Sequence, residues 1–199
     1  MKKLTKYQLN KISKNLDHLF DLATKDEILE GMQWYVDANN FAKDLSNKTN
    51  IHPYKIASII SILSPRNKWE RNLIDTTNLC HAWIEGKGPN DIKVCTFNTN
   101  KFKAFNVLND EQSINDKSLK TYNFVNNIAY LCPLSITIDI WHLRACFNKM
   151  IKISNASIGR IAYQQIKDLT LNKAKKIGLK GYEFQAILWL STQQKFNNN

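Results

Sequence analysis

Two residues of this 199-residue chain stand where a side chain can do chemistry. Asp139 is the single acid in the apolar run Ile136-Thr137-Ile138-Asp139-Ile140-Trp141. A carboxylate opening a helix has two readings. It is an N-cap, accepting backbone N–H groups of the next turn, or it is a catalytic carboxylate held at that N-terminus and pointing into a cleft. The two roles can coincide. Lys120 begins another helix at Leu119-Lys120-Thr121-Tyr122. The positive end of a helix repels an ammonium. Together with partial burial, that repulsion would lower the lysine pKa and make the amine a usable nucleophile. The plain alternative is one more surface lysine in a lysine-rich chain.

Other chemistries find less to work with. The cysteines are Cys80, Cys95, Cys132 and Cys146, and no two fall at the C-x-x-C spacing of a zinc ribbon. None lies beyond Cys146, so a C-terminal iron–sulfur cluster has no ligands in this chain. All four are expected to be small reduced core residues, and neither metal nor cofactor is expected. No Gly-rich phosphate loop, His-Glu-x-x-His or Gly-x-Ser-x-Gly occurs, which argues against P-loop hydrolases, zincins and α/β-hydrolases. Trp34 and Tyr35, with Asp37 and Asn40, line a pocket or pack in the core, and their helical spacing favours the core. Gln185 and Trp189 share a helix face and are expected to pack between lobes.

The net charge of +11, from 28 basic and 17 acidic residues, favours a polyanionic partner. The joint richness in Lys, Asn and Ile is also what an A/T-biased genome writes, such as that of a phage or a low-GC bacterium. Placement is therefore more informative than the total. Residues 141–180 hold nine basic residues against one acid, Asp168. That stretch is either a solvated helical face or a surface facing phosphates. No apolar run reaches the length of a bilayer span, and no signal-peptide core follows Met1-Lys2-Lys3-Leu4. A cytoplasmic protein is expected, in a bacterial or phage-infected cell.

The elements that must position these residues read as helices almost throughout. The apolar spacing predicts helices over 5–22, 26–47, 53–63 and 68–85. Gly86-Lys87-Gly88-Pro89-Asn90 is the clearest loop. A short helix over 101–108 can be capped by Thr99 or Asn100. A polar connection over 109–118 precedes helices over 119–131 and 139–152, the second with Met150 facing inward. Further helices are expected over 156–167, 170–177 and 181–194, before a frayed tail at 197–199. The only candidate strand, residues 135–138, is too little to make a sheet. The class is all-α.

Residues 119–148 resemble the core of helix-hairpin-helix DNA glycosylases, a superfamily that includes endonuclease III and 8-oxoguanine glycosylase. Leu-Lys-Thr-Tyr-Asn-Phe-Val-Asn-Asn-Ile is followed by a loop and then by Ile-Thr-Ile-Asp-Ile-Trp-His-Leu-Arg-Ala-Cys-Phe-Asn. In that family a hairpin ends in Lys-Thr or Lys-Val, and a Val-Asp segment opens the next helix, which often continues to an Arg. Residues 56–67 are similar to the family helix whose following loop enters the DNA stack. Here that loop would offer Arg66 and Lys68 to phosphates and Asn67 or Trp69 as a wedge. Lys101 and Lys103, in Asn-Lys-Phe-Lys-Ala, resemble the family's Arg-Lys-Ala step. The likeness touches residues 56–150, with conspicuous motifs only over 119–144.

The resemblance implies a compact all-α fold of two lobes in one domain. Its core would lie at about 50–150, with 1–49 and 151–199 forming the second lobe. It implies a monomeric DNA glycosylase acting on duplex DNA with an extruded base, with no membrane association. Lys120 would attack the sugar C1′, and Asp139 would assist it, both facing a basic cleft between the lobes. Lys101, Lys103, Ser118, Thr121, His142 and Arg144 would bind the nucleic acid, and Trp141 or His142 would contact the extruded base. Trp141 also reads as core and Arg144 as a solvated or capping residue. The chain departs from the family where the hairpin should be Gly-x-Gly-x-Lys. Asp116 and Ser118 occupy the glycine positions, and Asp116 would repel a phosphate. Either the hairpin is remodelled, or phosphate binding has moved, or duplex DNA is no longer the substrate. A non-catalytic nucleic-acid-binding or interaction protein is the rival reading, and an enzyme acting on a free nucleoside or modified nucleotide is a third.

Overall fold

The computed structural model describes residues 3–197, which form nine α-helices and no strand. Residues 1, 2, 198 and 199 lie outside the described residues, so the expected tail is described only at Asn197, the last residue of the last helix. The chain divides into two compact units. One is Ala38–Tyr130, and the other takes the chain up to Asp37 and from Leu131 onward. These boundaries differ from the lobes expected from the resemblance, because residues 131–150 group with the terminal segments.

The terminal unit starts with α1 (Lys6–Asp21). Thr5 and Gln8 close a reciprocal capping box there, and Ile12, Leu16 and Leu19 are buried. Helix α2 (Lys25–Thr49) runs across the boundary between the units along the chain. Its buried stripe is Gly31, Tyr35, Ala38, Ala42 and Leu45. Leu29 and Met32 are exposed because they lie off that stripe. At Gly31 a Cβ would come within 2.7 Å of the Ile187 backbone nitrogen, so the close approach requires glycine. Helix α7 (Ile140–Phe147) is shorter than expected. Asn148 takes the left-handed conformation at φ 46° and ends it, which leaves Met150 exposed. Helix α8 (Arg160–Lys176) is continuous where two helices were expected, and α9 (Gly181–Asn197) packs against α1, α7 and α8. Residues 135–138 are fully covered yet form no ladder. Tyr35 Oη donates to Gln185 Oε1 at 2.8 Å and lies 3.2 Å from Thr137 Oγ1, while Trp34 meets Trp189 edge-on. Gln185 and Trp189 therefore pack within this unit, and Tyr35 is core.

The other unit is built around α3 (Pro53–Leu63). Every residue from Ile56 to Leu63 is buried, where the spacing predicted only a stripe. A helix apolar all round must be surrounded, and α3 packs against α4 (Trp69–Ile84), α5 (Asn98–Leu108) and α6 (Leu119–Tyr130). Its two serines are neutralised by Tyr54 O and Ala57 O, each at 2.8 Å. Phe97, rather than Thr99 or Asn100, is the N-cap of α5. Leu131, at φ 48°, follows the last residue of α6, ahead of Pro133. Among the described residues no helix is long and apolar enough to cross a membrane.

Candidate functional site

Between α3 and α4 the chain makes a tight turn over residues 64–68. Arg66 is held at φ 58°, a left-handed conformation that costs a side-chain-bearing residue energy. Its guanidinium carbon lies 5.0 Å from the ring centre of Phe97, which is 45% exposed. The turn is kept in place from two directions. Thr96 Oγ1 donates to Pro65 O at 2.7 Å. Asp75, fully buried on α4, accepts from Asn67 Nδ2 at 3.0 Å, Arg71 Nε at 2.8 Å and the Cys95 backbone N–H at 2.7 Å. One carboxylate thus ties together the turn, α4 and the strand-like approach to α5. Asn67 is consequently turned inward, its amide committed to Asp75, and does not serve as a wedge. Lys68 is exposed, and Trp69 is half-buried as the first residue of α4.

Of the two lysines on α5, Lys103 is exposed but Lys101 is buried, its ammonium donating to Ile92 O at 2.9 Å. Lys101 therefore holds its own loop rather than a phosphate. Lys120 is the second residue of α6 and half-buried. Before it, the connection turns around Asn115. The Lys117 N–H donates to Asn115 Oδ1 at 3.0 Å and the Ser118 N–H to Asn115 O at 3.3 Å. These two backbone amides are thus engaged within the connection. The Ser118 hydroxyl bonds Thr121 Oγ1 at 3.3 Å, and Ser118 O accepts the Tyr122 N–H at 2.9 Å, starting the helix.

In the terminal unit, Asp139 is half-buried and caps α7, with Oδ1 accepting the His142 N–H at 2.8 Å. The cap fixes the carboxylate's orientation. His142 is fully buried and cannot touch a base. Its Nε2 lies 3.1 Å from Thr170 Oγ1, whose hydroxyl donates to Ile166 O at 2.8 Å. Thr170 must then accept, so Nε2 carries the proton and Nδ1 is an unprotonated, unpartnered buried nitrogen. Burial lowers the His142 pKa to about 4. Arg144 is also engaged, donating to Ile151 O at 3.1 and 3.3 Å and stacking 4.2 Å over Trp141, which is half-buried.

Arg66, Asn67 and Lys68 therefore share one turn, which Asp75 of α4 holds and Phe97 adjoins, with Trp69 opening α4, and Ser118, Lys120 and Thr121 share the start of α6. Asp139, His142 and Arg144 share α7 in the other unit. Sequence reasoning missed Asp75 and Phe97. An acid at a buried position of the α4 repeat was the available signal for Asp75, whereas nothing marked Phe97. Within 141–180, Lys173 pairs with Asp17 and Lys180 with Glu183 at 3.3 Å, so part of the basic stretch is internally engaged. Cys80 and Cys146 are buried, which raises both thiol pKa values, that of Cys80 to about 12. Cys95 is exposed and Cys132 half-buried, so these two are not core residues. Among the described residues no three His, Cys, Asp or Glu side chains group into a metal site. Residues 1–196 match the model of a family of unknown function (DUF7178). No curated protein and no solved structure matches the chain.

Proposed function

The chain belongs to this family of unknown function, and from its own residues we propose a DNA glycosylase that excises a damaged or modified base, with Lys120 and Asp139 as its catalytic residues. The observation that carries the reading is Asp139. It is a half-buried carboxylate, oriented by the first turn of α7 and preceded by four fully buried residues. The Arg66 turn supports it, as a strained residue kept by a buried network and presenting a cation and an aromatic ring outward. The target nucleotide leaves the stack, which costs a few kcal/mol. Departure of the base builds positive charge on the sugar, which the Asp139 carboxylate stabilises. The Lys120 amine attacks C1′ as the C1′–N bond breaks, and the base leaves with the bonding pair and takes up the proton that the amine gives up. The resulting amine adduct opens to a Schiff base, which permits strand cleavage by β-elimination. Arg66, Lys68 and Lys103 bind phosphates. The enzyme acts as a monomer in the cytoplasm.

The test is release of free base from duplexes carrying uracil, oxidised, alkylated or hydroxymethylated bases. Asp139→Asn is expected to lose nearly all turnover and keep its affinity. The amides consumed by Asn115 favour a second reading, a nucleic-acid-binding protein without catalysis. Salt-sensitive binding with no base release from any duplex would select it.

A further inference from the structure

A second aromatic feature lies at the other end of α6 from Lys120. Tyr130 is 61% exposed, and its ring stacks on that of Tyr54 with centroids 5.8 Å apart and planes 26° from parallel. Tyr54 is the firm member of the pair. It stands in the first turn of α3, and its hydroxyl donates to Ile114 O at 3.2 Å. Ile114 belongs to the same connection whose Asn115 engages two backbone amides. Near-parallel stacking uses the ring faces, so a ring backed on one side by a fixed neighbour offers its other face to a flat π system. The neighbouring cation is already spent. Lys55 Nζ donates to Leu108 O at 2.9 Å and Asp110 at 2.8 Å. Lys55, the residue after Tyr54, is thus already engaged, and the ring is the group assigned to binding.

We infer that Tyr130, backed by Tyr54, is a stacking site for an unpaired nucleobase of a single strand. The chemistry that recognises the ligand is a π face on a polyanionic strand, which the net charge of +11 attracts. The inference rests on the nucleic-acid reading above but not on catalysis.

The experiment is fluorescence anisotropy of the full chain with a short single-stranded DNA oligonucleotide and with an abasic strand of the same length. Base–aromatic stacking of ordinary strength makes Tyr130→Ala bind the base-bearing strand about 5- to 100-fold more weakly. Tyr130→Phe should bind like the unmodified protein. Neither substitution should change affinity for the abasic strand. Melting of each variant checks that an exposed change leaves the fold intact. Unchanged binding by Tyr130→Ala, an equal loss on the abasic strand, or no binding of single strands by the unmodified protein overturns the inference. Base release, measured in parallel, separates the two failures. Release with no Tyr130 effect sinks the stacking site alone, and a Tyr130 effect without release sinks the glycosylase alone.

Discussion

Removing the Asp75 carboxylate is expected to unlock the Arg66 turn. In Asp75→Ala the Cys95 N–H and the Asn67 amide lose their acceptor in a partly buried setting, having lain at 2.7 and 3.0 Å from it. A buried donor left unpaired costs about 1–3 kcal/mol. The Arg71 pair adds about 0–1 kcal/mol, since the arginine side chain is 45% exposed. The sum is about 2–7 kcal/mol, and for a chain of this length each kcal/mol moves Tm by about 2–4 °C. Thermal melting followed by circular dichroism should therefore show a fall of about 4–28 °C. Trypsin supplies the local readout. Arg66 and Lys68 lie in the turn, and cleavage after them should accelerate well beyond the change at other exposed lysines. A Tm within about 2 °C of the unmodified protein, with unchanged cleavage at the turn, would refute the role given to Asp75.

Other outcomes follow from the same contacts. His142 titrates at about 4 when folded against an ordinary 6.5, because burial disfavours its cation. Its contribution is complete above pH 6.5 and is lost as pH falls toward 4, by up to about 3 kcal/mol. Denaturant melts across that window should lose this slope in His142→Gln, and an identical pH dependence in both proteins would contradict it. Gly31→Ala places a methyl 2.5–2.8 Å from Ile187, including its backbone, and should lower stability by about 1–3 kcal/mol, which a neutral melt would disprove. Arg66→Gly relieves the left-handed strain, so Tm should hold while the slope of log affinity against log salt falls by about one. An unchanged salt slope would remove Arg66 from the interface.

The helical class and most helix positions were legible because apolar side chains recur at helical spacing, as Ile12, Leu16 and Leu19 do in α1. Periodicity could not show that α3 is buried on every side, since Ser58 and Ser61 read as polar until their hydroxyls close onto the preceding turn. Nor could it place the end of α7, which depends on the backbone of Asn148 rather than on any apolar pattern. The candidate site was partly legible. Asp139 was readable because an acid in an apolar run must do something specific. Lys101 and His142 were misread because a basic residue looks the same in sequence whether it faces a phosphate or, inside the fold, a carbonyl as Lys101 does or a hydroxyl as His142 does. Asp75 stayed hidden because its partners come from a turn and a loop that only the folded backbone brings together.

We propose that Lys120 and Asp139 remove a base from DNA. Borohydride trapping on duplexes carrying modified bases tests it most directly. A covalent protein–DNA adduct that forms with the unmodified protein and disappears in Lys120→Gln is the predicted result. Base release without an adduct would leave Asp139 activating water and would take the nucleophile's role from Lys120. No adduct and no release on any duplex, with salt-sensitive binding intact, would contradict the claim.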